Sequence, residues 1–146
     1  MIKFLSTIDA PANTKLPQRS TQFSAGYDFY APTDIFVPAG GESVLIPLNI
    51  KAIMPGDMVL MLFIRSSLAV KFNLSLVNSV GIIDSDYANN QDNDGNIGIK
   101  FRNNGSETII IREGERCAQG IFVRYCVTSD DETSAVRSGG YGSTGR

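Results

Sequence analysis

Two carboxylates stand two residues apart in the run Gly81-Ile82-Ile83-Asp84-Ser85-Asp86-Tyr87, at the end of an apolar strand-like segment. At strand spacing they point the same way; in a turn they diverge. A carboxylate in such a place can act as general base on water or help to hold a hydrated cation, and Asp is also an ordinary turn residue. Arg65-Ser66-Ser67 opens the one short stretch with helical character, Ser66–Phe72. Free N–H groups, two hydroxyls and a guanidinium there suit an anion, and they equally suit a plain Ser cap. The C-terminal run from Arg137 to Gly145, followed by Arg146, combines glycine backbone, hydroxyls, guanidinium groups and one aromatic ring. Its main-chain N–H groups can wrap an anion, its arginines can contact phosphate through two bonds at once, and Tyr141 can stack on a base. A disordered Gly/Ser tail has the same composition, and the run lacks the Gly-Lys-Ser/Thr ending of a P-loop. Asp92-Asn93-Asp94-Gly95 invites a calcium reading. With Gly95 at loop position 6, however, Phe101 falls at position 12, where a bidentate Glu is required, so the segment reads as a solvated loop.

Composition narrows the chemistry. Among 146 residues there is no histidine and no tryptophan. The first absence removes Ser-His-Asp and Cys-His nucleophile systems, imidazole metal ligands and an imidazole base. Acid–base work near neutral pH falls to carboxylate, Lys, Tyr or Cys. A net charge of −2 with 19% charged residues does not describe a general nucleic-acid or membrane-surface binder. Cys117 and Cys126 are too few for a disulfide framework or, without His, for a structural zinc. They read as reduced thiols of a cytoplasmic protein (host cytoplasm or nucleus if viral). The N-terminus shows no signal-peptide apolar region, and the longest apolar run, Met58–Ile64, is too short to span a membrane.

The elements that must hold these residues are strands. Gly, Pro, Asn and Asp cut the chain into short apolar segments. Strands are predicted over Ile2–Leu5, Ile35–Val37, Ser43–Ile46, Leu48–Ile53, Met58–Ile64, Leu74–Val77, Ile97–Phe101, Thr108–Arg112 and Gln119–Val127. Pro38-Ala39-Gly40-Gly41 and Pro55-Gly56-Asp57 read as turns. With 42% hydrophobic residues this is one all-β domain with a real core: a sandwich, jelly roll or small barrel with one short helix. The segment from Asp84 to Asn96 is almost wholly polar. After Val127 little remains to bury, so residues 1–128 form the expected core and 129–146 an arm that alone should be mobile.

Taken in order, five segments resemble the five motifs of the trimeric dUTPase family. They are Ala25-Gly26-Tyr27-Asp28-Phe29-Tyr30-Ala31, Arg65-Ser66-Ser67-Leu68-Ala69, Gly81 through Tyr87, Arg116-Cys117-Ala118-Gln119, and Arg137 through Gly145. The resemblance implies a jelly-roll-like subunit in a homotrimer with active sites shared between subunits. It implies Mg²⁺-dependent hydrolysis of dUTP to dUMP and pyrophosphate, which limits uracil incorporation into DNA and supplies dUMP for dTMP synthesis. By position, Asp84 would be the general base activating the water that attacks the α-phosphorus. Asn78 would read the uracil, with backbone around Ile82, Ile83 and Gly98 lining the nucleoside pocket. Tyr87 would pack under the deoxyribose and exclude a 2′-hydroxyl. Arg65, Ser66, Ser67 and Gln119 would contact phosphates. Arg137 would grip the terminal phosphate, Tyr141 would cover the uracil, and Gly142, Ser143 and Thr144 would close over the phosphates. Asp28 would hold water ligands of Mg²⁺. No membrane and no direct nucleic-acid contact is implied.

The chain departs from the family pattern at three places. Ala88-Asn89 stands where Arg-Gly or Gln-Gly is usual, and the polar segment before Gly98 is longer than usual. The fifth motif is a residue shorter between Arg137 and its glycine core, and Tyr141 replaces the usual Phe. Two other readings compete: a dCTP deaminase-type relative of the same fold, and a catalytically quiet nucleotide-sensing or partner-binding trimer that uses the polar insert 88–94.

Overall fold

The computed structural model describes residues 1–142, 144 and 145. Its largest sheet has five antiparallel strands. β3 (Tyr27–Tyr30) and β7 (Met58–Ile64) flank the central β13 (Arg116–Arg124), with β2 (Gln18–Arg19) and β9 (Gly81–Asp84) at the edges. Four antiparallel ribbons complete the fold. They pair β1 (Lys3–Ser6) with β6 (Ile50–Ile53), β4 (Ile35–Val37) with β12 (Ile109–Ile111), β5 (Ile46–Pro47) with β10 (Gly98–Ile99), and β8 (Leu74–Leu76) with β11 (Phe101–Asn103). The one α-helix among the described residues, α1 (Ser66–Phe72), follows β7, packs against β8 and stops where Asn73 adopts a left-handed conformation. This is the all-β, jelly-roll architecture that the family resemblance implies and one of those that the short apolar segments allow.

Alternation explains the core. Met58, Leu60 and Leu62 of β7 are buried while their neighbours are half-covered, as a strand with one fully packed face requires. Phe4 carries the β1–β6 ribbon onto the large sheet. Its ring meets Phe29 and Phe122 at centroid distances of 5.3 and 5.2 Å, the first edge to face. Cys117 lies fully buried in the same core, where burial pushes its thiol up to about 12.

Three local expectations are corrected. The predicted strand Leu48–Ile53 and its neighbour Ser43–Ile46 become β5 and β6, because Asn49 at φ 61° turns the chain from one ribbon to another. Ile97–Phe101 likewise splits into β10 and β11. The last strand begins earlier and ends earlier than Gln119–Val127, since Arg116 already pairs with Tyr30 and Arg124 is the last residue to pair with β7. β3 was not predicted: Asp28 at its centre is an unfavourable strand residue, stabilised here by partners distant in sequence.

Candidate active site

The expected site residues fall into two clusters. The first lies at the β3–β13–α1 end of the large sheet. Arg65, in extended backbone just before α1, donates from Nε to Asp28 Oδ1 at 3.0 Å. Asp28 Oδ2 accepts from the Ser20 hydroxyl at 2.6 Å and from Arg116 Nη1 at 3.3 Å. Burial would raise the Asp28 carboxyl, but the Ser20 hydrogen bond and the two arginines outweigh it and hold it below the usual carboxylate value. Ser67 sits 3.4 Å from Arg65 Nη1, and neither Ser66 nor Ser67 caps the helix with its side chain. Gln119, opposite Asp28 in the sheet, donates to the carbonyl of Ile64 at 3.3 Å and so ties β13 to the residue before Arg65. Lys15, Arg65, Lys71 and Arg116 line an open cleft of about 670 Å³. Four cations against one buried carboxylate and Glu115 make this cleft suited to a polyanion.

The second cluster lies around β9. Asp84 ends that strand, and a 3-10 turn, Ser85–Tyr87, follows it. Asp84 and Asp86 are half-exposed. Tyr87 is buried and donates to the carbonyl of Asn96 at 3.0 Å. Arg137 from the C-terminal arm bonds both carboxylates, Asp84 at 2.7 Å and Asp86 at 2.8 Å, and its guanidinium lies 5.8 Å from the Tyr87 ring centre. Four residues on, Tyr141 packs at 6.0 Å from the Tyr87 ring. It closes a cavity of about 190 Å³ lined also by Leu62, Asn78, Gly81, Gly98 and Ile99. Gly98 is needed there, because a Cβ would lie 2.0 Å from the Tyr141 hydroxyl. Ile82 is exposed and Ile83 packs on the core; of this strand, Gly81 and not Ile82 or Ile83 lines the cavity. Gly142 and Thr144 are exposed beyond Tyr141; Ser143 lies outside the described residues.

The expected site residues therefore do not all meet on one chain. Asp84, Asn78, Tyr87, Gly98, Arg137 and Tyr141 converge, and Asp28, Arg65, Ser67 and Gln119 converge elsewhere. Asp84 pairs with Val59, whereas Gln119, opposite Asp28, pairs with Phe63. Four residues along the strand and three strand spacings across put the clusters roughly 20 Å apart. Reading by residue type missed Ser20 and Arg116 as partners of Asp28, and it missed the loop 88–96. That loop is docked rather than solvated: Lys51 Nζ donates to Asn89 at 2.7 Å and to Asp94 at 2.8 Å. Lys51 holds the Asp94 carboxyl below its ordinary value, and among the described residues no group of three acidic or thiol side chains is placed to hold a metal ion.

A family model for dUTPase matches residues 12–145 of this sequence. The chain belongs to the dUTPase family. A Lactococcus lactis protein named deoxyuridine 5′-triphosphate nucleotidohydrolase is 45% identical over 137 residues, covering 92% of this chain and 90% of that protein. The crystal structure of dUTPase from Streptococcus mutans superposes with a TM-score of 0.80 at 39% identity, covering 86% of this chain and 98% of that one. A dUTPase variant from phage phi11 of S. aureus, described as coordinating a structural Mg(II) ion, shares the fold at a TM-score of 0.74 and 20% identity, covering 92% and 97%. Among the described residues no helix is long and apolar enough to cross a membrane.

Proposed function

We infer that this family member hydrolyses dUTP to dUMP and pyrophosphate, with Asp84 as the base. The observation that carries the reading is the arrangement around Asp84. A half-exposed carboxylate ends the strand whose first residue, Gly81, lines a cavity of about 190 Å³ with an amide, Asn78, in its wall; Tyr141 closes that cavity and packs on the buried Tyr87, and Arg137 of the same arm bonds Asp84. In this reading Asn78 and the backbone near Gly98 hold the uracil, with Ile82 and Ile83 contributing main chain. Tyr87 packs against the sugar where a 2′-hydroxyl would clash. Asp84 takes a proton from a water as that water attacks the α-phosphorus, and the bond to the bridging oxygen breaks toward pyrophosphate.

The triphosphate extends from that cavity toward Arg65, Ser66, Ser67 and Gln119. Because the cluster around Asp28 that holds them lies roughly 20 Å from Asp84 on one chain, a second copy supplies them. That supports a homotrimer with shared sites. Phe23, Phe36 and Val70, all exposed, leave apolar surface for such contacts. Arg137 grips the terminal phosphate by exchanging its two carboxylates for phosphate oxygens, and Gly142, Ser143 and Thr144 follow it over the phosphates. Asp28, with Ser20, Arg65 and Arg116 already on it, fits an ion only through water at the free side of Oδ1. A Mg²⁺ ion carried by the triphosphate would supply charge neutralisation. Two unpaired thiols, Cys117 and the exposed Cys126, suit a cytoplasmic setting. The role in limiting uracil in DNA and providing dUMP follows from the reaction.

Pyrophosphate release from dUTP by wild type and by Asp84→Asn tests this. Wild type turns over. The variant loses about 10²–10⁴-fold in kcat, the usual contribution of a general base, while still binding nucleotide. An inactive wild type, a fully active variant, or ammonia release from dCTP defeats the assignment.

A further inference from the structure

The loop 88–96 is built as a rigid shelf. Its base is fixed to the core: Asp94 Oδ2 accepts the Ile8 N–H at 2.8 Å, Asn96 Oδ1 accepts the Asn49 N–H at 2.9 Å, and Lys51 clamps Asn89 and Asp94 together. Its tip is shaped from within by Asn90. That side chain donates to the Tyr87 carbonyl at 2.8 Å and accepts the N–H groups of Asp92 and Asn93 at 3.0 and 3.1 Å. Two side chains are thereby presented toward the C-terminal arm. Asn93 donates to the Tyr87 hydroxyl at 2.8 Å, and Asp92 Oδ2 accepts the N–H of Gly140 at 2.7 Å. Gly139 and Gly140 are buried against this surface. A Cβ on Gly140 would come within 3.3 Å of the Asn93 amide nitrogen. One residue further, the Tyr141 hydroxyl donates to the Asn96 carbonyl at 3.3 Å, so both sides of the arm's turn rest on the same loop.

We propose that this loop is the receiving dock of the arm, and that Asp92 is a positioning residue that fixes Gly140 and thereby sets Tyr141 over the nucleoside cavity. The proposal rests on the hydrolase reading for its kinetic consequence but not for the contact itself. A carboxylate on a main-chain N–H is a charge-assisted bond, and the buried glycine leaves little room for water to replace it. The bond does not touch the reacting atoms. Its loss weakens ground state and transition state alike, which raises KM and leaves kcat nearly unchanged.

Limited trypsinolysis of the ligand-free protein, followed by mass as loss of segment 138–146, reads the dock without any nucleotide. Cleavage after Arg137 should run about tenfold faster in Asp92→Ala than in wild type, because an open arm is the cleavable one. Asp92→Asn, which keeps an acceptor oxygen, should recover part of the protection. Gly140→Ala attacks the same contact from the arm's side and should match Asp92→Ala if that variant folds poorly. With dUTP, Asp92→Ala should raise KM about tenfold with kcat within about twofold. Wild-type cleavage rates in both Asp92→Ala and Gly140→Ala overturn the dock. A fall in kcat at unchanged KM overturns the positioning role. Failure of dUTP hydrolysis in wild type, with the trypsin pattern as expected, defeats only the hydrolase reading.

Discussion

Asp28 sits inside a sheet strand where an isolated carboxylate would be costly, and two arginines with a serine hydroxyl make it tolerable. Its carboxyl is held below the ordinary 3.8 in the folded chain. A lowered folded pKa gives stability that is fully present above 3.8 and lost as pH falls through the lowered value. Asp28→Asn should therefore destabilise the protein by about 1–3 kcal/mol at neutral pH. It should also flatten the acid limb of the stability profile, measured by denaturant unfolding at successive pH values. An acid limb as steep as that of wild type would contradict this pairing. The motif residues were legible because their types are unusual in their settings: an Asp in an apolar run, an Arg before two serines. Ser20 was not, and Arg116, though it opens a motif segment, gave no sign of its pairing with Asp28, because a partner that acts by lying beside Asp28 leaves no local pattern.

The strands and the short helix followed from apolar periodicity, and their errors share a cause. A single left-handed Asn49 inside the expected strand Leu48–Ile53 moves the break between two ribbons, and Asn is common enough in loops that it signals nothing alone. Loop 88–96 was read as solvated because its polar residues outnumber its apolar ones. Its partners, Lys51 above all, lie far away in sequence and cannot be paired by inspection. The arm is the reverse case. No residue of its described part belongs to the hydrophobic core, yet Arg137 to Tyr141 make specific contacts. Deleting residues 137–146 should abolish turnover while the melting temperature shifts by less than about 2 °C. A collapse in melting temperature would instead make the arm part of the fold.

For the whole molecule, the separation of the two clusters is the feature with the widest reach. If each site draws Asp84 from one copy and Arg65 from another, inactive Asp84→Asn chains mixed with inactive Arg65→Ala chains should regain measurable turnover after subunit exchange. Sedimentation should give three chains per particle. Separate silent variants that stay silent when mixed would place both clusters in a single chain's site. The stretch between the last strand and the arm adds a consequence of tether physics. Residues 128–136 are exposed and carry no helix or strand. A chain of that length has a root-mean-square span of about 17 Å and a fully extended one of about 30 Å. An arm on such a leash is present near its dock at millimolar effective concentration. A handful of hydrogen bonds and one ring contact are then enough to hold it down. Each is weak enough that product can leave at every turnover, and the leash length, more than the strength of the grip, determines which copy's cavity the arm can serve.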